Sequence, residues 1–194
     1  MEEKSGKLIL VSAPSGGGKN AIIRALLKRF PNSTQLVTTT TRNMRPGEVN
    51  GKDYHFLDKK IFKKKIATGG FIEYNEYDGN LYGTQWGDLN DALDKYNLVF
   101  SQAEVNGKRH LDEQNVKHIS IFLEPESFEI LKGRIQKRGG TSDDSIAIRL
   151  KTAKHEIDAS DSYDFCVVNK DGEMNQTVNK IVGYLVQKKG IKTY

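Results

Sequence analysis

Residues 8–19 have the sequence Leu8-Ile-Leu-Val-Ser-Ala-Pro-Ser-Gly-Gly-Gly-Lys19, and this stretch decides the fold. The unbroken apolar run from Leu8 to Val11 is typical of a strand buried on both faces of a parallel sheet. Apolar residues recur at helical spacing over 20–30. A glycine turn ending in lysine therefore joins a strand to a helix, where backbone N–H groups and the helix N-terminus would bind an anion.

The stretch matches the phosphate-binding loop pattern G-x-x-x-x-G-K-[ST] with two departures. Ala13 stands at the position of the first glycine, and Asn20 replaces the hydroxyl residue that normally reaches magnesium. The alternative is a glycine-rich turn with an incidental lysine. Because strand, loop, Gly-Lys pair and helix follow in the right order, the sequence favours a phosphate site.

Composition narrows the class of protein. With 194 residues, 37% of them hydrophobic and 28% charged, the chain suits one compact soluble domain. A net charge of +5 fits a protein that binds phosphorylated small molecules and is weak evidence for nucleic acid. The lysine-rich run 58–65 carries Ile61, Phe62 and Ile66 at helical spacing, which predicts a short helix with a solvated basic face. We therefore expect no nucleic-acid partner.

Cysteine content and hydropathy argue against proteins with internal disulfides, with multi-cysteine metal sites or with membrane spans. Cys166 is the only cysteine, which excludes an internal disulfide and a multi-cysteine metal site. No apolar run approaches the length of a membrane span, so we expect a cytoplasmic protein without a membrane partner. The oligomeric state is not fixed by the sequence.

Helical and strand patterns alternate along the chain, which predicts an α/β fold with parallel strands joined by right-handed crossovers. Residues 71–77 and 80–84 alternate around Asp78-Gly79, which predicts an antiparallel hairpin. We predict the other strands at 8–11, 35–41, 53–57, 98–103, 118–123 and 164–169. We predict helices near 20–30, 58–66, 86–96, 105–115, 126–137, 143–160 and 174–189. Residues 34–85 thus form a β-rich insert, and 126–160 a helical flap.

Two groups of residues within the β-rich insert could contact a second ligand. Arg42 and Arg45, with Tyr54 nearby in the sequence, offer two guanidinium groups and a phenol to a phosphate. The alternative is that they are solvated loop arginines. A carboxylate at Glu73, close to Tyr82 and Thr84, could accept hydrogen bonds from a nucleotide base. The alternative for Glu73 is a surface glutamate on a strand.

The helical flap carries a third candidate group, Arg134, Arg138 and Arg149. Arg134 and Arg138 are four residues apart on one helix and share a face. A phosphoryl group in transfer needs positive charge from such a movable element. The alternative is salt bridging with nearby carboxylates, namely Asp143, Asp144 or Glu156.

A fourth candidate is Gln102-Ala103-Glu104, at the end of strand 98–103. In phosphate-loop enzymes an acid at the end of a second strand helps to hold magnesium. The first position here is the neutral Gln102, whereas Glu104 is acidic.

Together these motifs resemble the guanylate kinases over nearly the whole chain. The most specific match is Thr40-Thr-Arg-Asn-Met-Arg-Pro-Gly-Glu-Val-Asn-Gly-Lys-Asp-Tyr54, which places two arginines at fixed spacing before a tyrosine. The other matches are Ser12–Lys19, Phe71-Ile-Glu73, Gly79-Asn-Leu-Tyr-Gly-Thr84, Arg138-Gly-Gly-Thr141 through Arg149, and Val168-Asn-Lys-Asp171.

The resemblance implies an architecture and a reaction. The fold would be a three-layer phosphate-loop core with a parallel sheet (1–33, 86–125 and 161–194), a β-rich GMP-binding lobe (34–85) and a helical lid (126–160) in one domain, 1–194. The implied reaction is phosphorylation of GMP or dGMP by ATP with Mg²⁺, a step of purine nucleotide metabolism. The alternative is a guanylate-kinase-like binding module, impaired in catalysis, that recognises an acidic or phosphorylated partner.

The resemblance also implies roles for individual residues. The catalytic groups would be Lys19, Arg42, Arg134, Arg138 and Arg149. ATP would be bound by Ala13, Pro14, Ser15, Gly16, Gly17, Gly18, Lys19, Asn20, Ala21, Arg134, Arg138 and Asn169. The GMP phosphate would be bound by Arg42, Arg45, Tyr54 and Tyr82, and guanine by Thr38, Glu73, Thr84 and Glu104.

Two departures from the family pattern fall on the magnesium side of the site. The family usually has a hydroxyl directly after the loop lysine or one residue later, and here Asn20 and Ala21 lack it. The second strand of the family usually ends in acid-x-acid, and here it ends in Gln102-Ala103-Glu104. We therefore assign no direct protein ligand to the metal and expect Asn20, Gln102 and Glu104 to lie near it.

Overall fold

The computed structural model describes residues 6–77, 79–137 and 143–193. These residues divide into two compact units. The first contains residues 6–8, Asn32–Ser101 and Asn106–His118, and the second contains Ile9–Pro31, Gln102–Val105 and the residues from Ile119 onward. No helix in the described part of the chain is long and apolar enough to cross a membrane.

The strands and helices alternate as the sequence predicts. The strands are Lys7–Ser12 (β1), Ser33–Gln35 (β2), Thr39–Thr40 (β3), His55–Phe56 (β4), Phe71–Tyr77 (β5), Asn80–Gln85 (β6), Leu98–Gln102 (β7), His118–Glu124 (β8) and Phe165–Val168 (β9). The α-helices are Lys19–Leu27 (α1), Lys59–Ala67 (α2), Trp86–Lys95 (α3), Val105–Glu113 (α4), Phe128–Lys137 (α5), Asp143–Asp158 (α6) and Met174–Lys189 (α7).

Two sheets are present in the described residues. Five strands form a parallel sheet in the order β2-β7-β1-β8-β9, which confirms the predicted α/β class. The second sheet has the order β4-β3-β6-β5 and lies within the first unit. Its β5 and β6 pair antiparallel, which confirms the predicted hairpin, although Asp78 of its turn lies outside the described residues.

The prediction of one strand over 35–41 is wrong. In the structure β2 ends at Gln35 and pairs with β7, whereas β3 begins at Thr39 and pairs with β6 of the other sheet. The N–H of Leu36 still donates to Phe100 O at 2.8 Å before the chain changes sheets. The β-branched residues favour extended backbone along the whole stretch, but propensity carries no information about which strand is the partner.

Helix α2 has the predicted amphipathic arrangement in part: Phe62 and Ile66 pack in an apolar cluster, whereas Ile61, predicted to belong to the same stripe, is 50% exposed. Its first turn is capped by Asp58, whose carboxylate accepts a hydrogen bond from Lys60 N at 2.7 Å. Phe62 is fully buried and stacks on Phe71 with ring centroids 4.2 Å apart, while Lys59, Lys60, Lys63 and Lys64 are exposed. The helix is therefore attached to the sheet by one apolar face.

A separate apolar cluster joins the two helices of the predicted lid in the second unit. Leu131 and Ile135 of α5 pack with Ala153 of α6, and all three are fully buried. The two helices 126–137 and 143–160 are thereby confirmed to within two residues at each end.

We expect Phe122→Ala to destabilise the second unit strongly. Phe122 of β8 is fully buried, and its ring lies 5.1 Å from that of Tyr163. Removing it deletes apolar contacts and leaves a cavity, so the free energy of unfolding should fall by about 3–5 kcal/mol in urea titrations. The matched control is Phe128→Ala, because Phe128 is 40% exposed. Equal effects of the two substitutions would contradict the assignment of Phe122 to the core.

Candidate active site

The phosphate loop, defined as residues 13–20, lies between β1 and α1 in the second unit. Gly17 N donates to Pro14 O at 2.8 Å, and Gly18 is the N-cap of α1 with a φ of 86° that favours glycine. A Cβ atom at Gly17 would lie 2.5 Å from Ala13 Cβ. Alanine at position 13 is therefore compatible with the loop because position 17 has no side chain.

Lys19 lies at the start of α1 and turns back onto the loop. Its Nζ donates to Ala13 O at 2.6 Å. This hydrogen bond holds the ammonium group beside the N-terminus of α1, where N–H groups lack intrahelical partners. The arrangement provides a positive site of the kind that binds phosphate oxygens.

Asn169, after β9, connects the phosphate loop to helix α5. Its Nδ2 donates to Gly17 O at 3.0 Å, and its backbone oxygen accepts from Arg134 NH2 at 3.2 Å. The same nitrogen of Arg134 forms an ion pair with Asp171 at 2.6 Å. The structure therefore brings together three of the predicted ATP-binding positions, Gly17, Arg134 and Asn169.

The two neutral residues on the predicted magnesium side contact each other. Gln102 Nε2, at the end of β7, donates a hydrogen bond to Asn20 Oδ1. The amide oxygen that would replace the usual hydroxyl as a metal ligand is thus already an acceptor within the protein. Among the described residues, no group of three or more His, Cys, Asp or Glu side chains could hold a metal ion.

Glu156 of α6 is a titratable group near Lys19 that the sequence suggested only as a possible salt-bridge partner of the predicted lid arginines. It is 8% exposed, and burial raises the pKa of its carboxyl group to about 7. Lys19 opposes this rise, and Glu104 adds to it through like-charge repulsion. Glu156 follows Ile146, Leu150 and Ala153 at helical spacing on the apolar side of α6. This spacing in the sequence could have indicated that Glu156 is buried.

The first unit contains what we call the arginine–tyrosine cluster, Arg42, Arg45, Tyr54 and Tyr82. The guanidinium carbon of Arg42 lies 5.6 Å from the centroid of the Tyr54 ring, and the rings of Tyr54 and Tyr82 meet edge to face at 6.2 Å. Burial, followed by the neighbouring Tyr82, raises the pKa of Tyr54 above its usual value. Its phenol is therefore a protonated hydrogen-bond donor at neutral pH.

A carboxylate and a hydroxyl lie close to this cluster on one face of the β5–β6 hairpin. Glu73 and Thr84 are cross-strand partners, and Thr84 Oγ1 donates to Glu73 Oε1 at 2.7 Å. Tyr82 is two residues before Thr84 on β6, so both side chains point to the same face. Glu73 is therefore held as an acceptor on the face that also carries a tyrosine of the cluster.

The other predicted residues have the following positions. Thr38 lies in the first unit, where its carbonyl oxygen accepts from His55 N at 2.8 Å. Glu104, which we predicted to contact guanine with Glu73, is exposed and lies in the second unit. Arg149 is partly buried on α6, and Arg138 lies outside the described residues.

Comparison with known proteins identifies the family. A sequence model described as guanylate kinase matches residues 5–188. The chain belongs to the guanylate kinase family. Its similar relatives include guanylate kinases of Nostoc sp. (strain PCC 7120 / SAG 25.82 / UTEX 2576), with 43% identity over 87% of this chain and 85% of that one, and of Clostridium perfringens (strain ATCC 13124), with 39% identity over 97% and 86%.

A solved structure supports the same conclusion at the level of the fold. The crystal structure of guanylate kinase from Anaplasma phagocytophilum matches with a TM-score of 0.72 and 29% identity, covering 96% of this chain and 87% of that one. The predicted phosphate-loop kinase fold is therefore confirmed.

Each unit contains an acidic partner of a predicted cation that was not anticipated from the sequence. Arg42 NH2 forms an ion pair with Glu48 at 2.7 Å, and Arg134 forms one with Asp171. Both acids lie inside motifs that carry the family resemblance. The signal was present, but a motif does not indicate which of its charges bind each other.

We expect Glu156→Gln to change how stability depends on pH. Because the pKa is raised from 4.5 to about 7 in the folded state, the folded protein holds a proton that the unfolded chain releases over this range. The free energy of unfolding should therefore fall as pH rises from 4.5 to about 7 and then level off. Relative to the glutamine variant, the natural protein should lose roughly 1–3 kcal/mol over this range.

Urea titrations at several pH values measure this difference. The matched control is Glu126→Gln, an exposed glutamate just before α5. Parallel curves for the natural protein and the Glu156 variant would show that this carboxyl group titrates normally.

Proposed function

We propose that this chain transfers the γ-phosphoryl group of ATP to GMP, producing ADP and GDP, and that it accepts dGMP in the same way. The observation that carries the proposal is a row of side chains in the first unit. Glu73 contacts Thr84, and Tyr82 lies two residues before Thr84 on the same face of β6. The ring of Tyr82 meets that of Tyr54, and Arg42 lies over the Tyr54 ring. A carboxylate at one end suits a base with N–H donors, and a guanidinium at the other suits a phosphate.

Guanine suits the acceptor end of this row better than adenine. Guanine presents an N1–H and a 2-amino group, whereas adenine has no N–H donors at those positions. Glu73 already accepts one hydrogen bond from Thr84, and a carboxylate has about four acceptor positions. We propose that Glu73 accepts from guanine, with Thr84 and Thr38 beside it, and that Glu104 contributes a second acceptor.

The phosphate group of GMP is assigned to the arginine–tyrosine cluster. Arg42 and Arg45 supply positive charge, and the phenols of Tyr54 and Tyr82 supply neutral donors. Hydrogen bonds between ionised groups and such donors are short and strong, and a planar guanidinium can bind two phosphate oxygens at once.

The phosphates of ATP are assigned to the phosphate loop and Lys19, and Asn169 is assigned a position near the adenine. Phosphoryl transfer requires the protein to align two anionic substrates and to offset charge that develops on the transferring group. We propose that Lys19, Arg42, Arg134, Arg138 and Arg149 perform this role. The binding-module alternative gains no support, because the described cations and the base-reading carboxylate are all present.

Magnesium is proposed as the cofactor, brought by ATP itself. When bound, Mg²⁺ neutralises phosphate oxygens and helps to orient them. Asn20 and Gln102 do not fit a set of direct ligands, because both are neutral and the oxygen of Asn20 accepts from Gln102. Mg²⁺ prefers anionic oxygens and retains several waters. We therefore assign Glu104 at most an outer-shell role.

The test of the proposed function is ADP release with GMP, dGMP, AMP, CMP and UMP as acceptors. We expect GMP to exceed AMP in kcat/KM by roughly 10⁴–10⁵, because AMP would leave polar groups of the site unpaired. Glu73→Gln should reduce this ratio sharply, while the control Glu76→Gln, on the same strand, should not. Comparable turnover of AMP and GMP would refute the assignment of guanine.

A second prediction concerns the amide pair. Asn20→Ser combined with Gln102→Asp should lower the free Mg²⁺ needed for half-maximal turnover and raise kcat, because it restores a hydroxyl and an anionic oxygen. Isothermal titration should also show tighter ATP binding in the presence of Mg²⁺, with unchanged affinity for GMP.

The two single variants serve as controls for this experiment, because each leaves one member of the pair without its partner. If the natural protein already reaches full activity at one Mg²⁺ per ATP and the double variant is no better, our account of these two residues is wrong.

A further inference from the structure

Glu48 lies in the loop between β3 and β4, and its carboxylate binds two separate points of that loop. Oε1 accepts from Arg42 NH2 at 2.7 Å, and Oε2 accepts from the backbone nitrogen of Arg45 at 2.7 Å. One side chain therefore joins the side chain of the first arginine to the main chain of the second.

The bridge fixes the orientation of Arg42. Its other terminal nitrogen, NH1, donates to Asn43 O at 2.6 Å, and its backbone N–H donates to Thr40 Oγ1 at 3.1 Å. The guanidinium carbon lies 5.6 Å and 5.7 Å from the ring centroids of Tyr54 and Phe56. An arginine side chain with this many contacts has lost much of its rotamer freedom before any ligand arrives.

Both members of the pair are charged at neutral pH. Hydrogen bonds from Arg42 and from the backbone of Arg45 lower the pKa of Glu48, and the hydrogen bond to Glu48 raises the pKa of Arg42. The side chains are 14% and 21% exposed for Arg42 and Glu48. A guanidinium has five N–H donors, so Arg42 has the capacity to bind Glu48 and a phosphate oxygen together.

We propose that Glu48 is a positioning residue for the acceptor phosphate, and this rests on the function proposed above. It holds Arg42 and the backbone at Arg45 in the arrangement that the phosphate of GMP requires. Binding then needs less ordering of side chains, and ordering is one of the main costs of association. Glu48 contacts the phosphate only through the arginines.

A competing interpretation predicts that removal of Glu48 has the opposite effect on GMP binding. Glu48 could occupy the place of the phosphate and have to leave when GMP binds, in which case its removal would tighten binding. The contact with Arg45 N argues against this, because an anion that only neutralised Arg42 would not need to bind a backbone N–H of the loop. The two interpretations are separated by one measurement.

We expect Glu48→Ala to raise KM for GMP by about 10–100-fold, the loss expected from hydrogen bonds to a charged group, with a much smaller change in kcat. Glu48→Gln should have a smaller effect in the same direction, because its amide has one acceptor oxygen in place of two. Calorimetric Kd values should show weaker binding of GMP and unchanged binding of guanosine, which has no phosphate. KM for ATP should not change.

The control is Glu76→Gln, an exposed glutamate on β5 of the same unit. Thermal unfolding of each variant identifies damage to the fold. A lower KM for GMP, or an unchanged KM with only a lower Tm, would overturn the proposal, as would equal losses for GMP and guanosine. If the natural protein failed to phosphorylate GMP, the proposed function would fall, and the GMP-to-guanosine affinity ratio would still test Glu48.

Discussion

The phosphate loop depends on the close approach of Gly17, in its middle, to the first two residues of the loop. Gly17 lies so near Ala13 and Pro14 O that any Cβ atom at position 17 would overlap them. This approach turns the carbonyl of Gly17 toward Asn169 and leaves the carbonyl of Ala13 to accept from Lys19. Asn169 in turn binds Arg134. The ammonium group of Lys19, the phosphate loop and helix α5 are therefore linked through the short stretch of backbone from Ala13 to Gly17.

Cations assigned to phosphates in this protein are held by acceptors of the protein itself. Arg42 is held by Glu48, Arg134 by Asp171, and Lys19 by a backbone carbonyl with Glu156 nearby. Such contacts lower the entropy that a flexible cation loses on binding, and they also reduce its net attraction for anions.

Much of the fold follows from local patterns, because strand and helix periodicity and the glycine–lysine turn are properties of neighbouring residues. The hairpin at 71–85 and the two lid helices were predictable for this reason. The change of sheet between Gln35 and Thr39 was not predictable, because it depends on distant strands. Ser33 pairs with Leu98 of β7, 65 residues away, and Thr40 pairs with Tyr82 of β6, 42 residues away. Glu156 likewise became informative once its distant neighbour Lys19 was known. The partners of Glu48 are only three and six residues away, but the motif did not show which of its charged residues bind each other.

The hydrogen bond from Asn169 to Gly17 spans 152 residues, and this has a consequence for synthesis of the protein. During synthesis the phosphate loop is made first, and the side chain that holds it is added 152 residues later. Contacts of such sequence separation form late, because closing a long loop costs entropy before the contact is made. ATP affinity should therefore be acquired only after β9 and Asn169 have been made, and a chain truncated before β9 should lack it even with every residue of the loop in place.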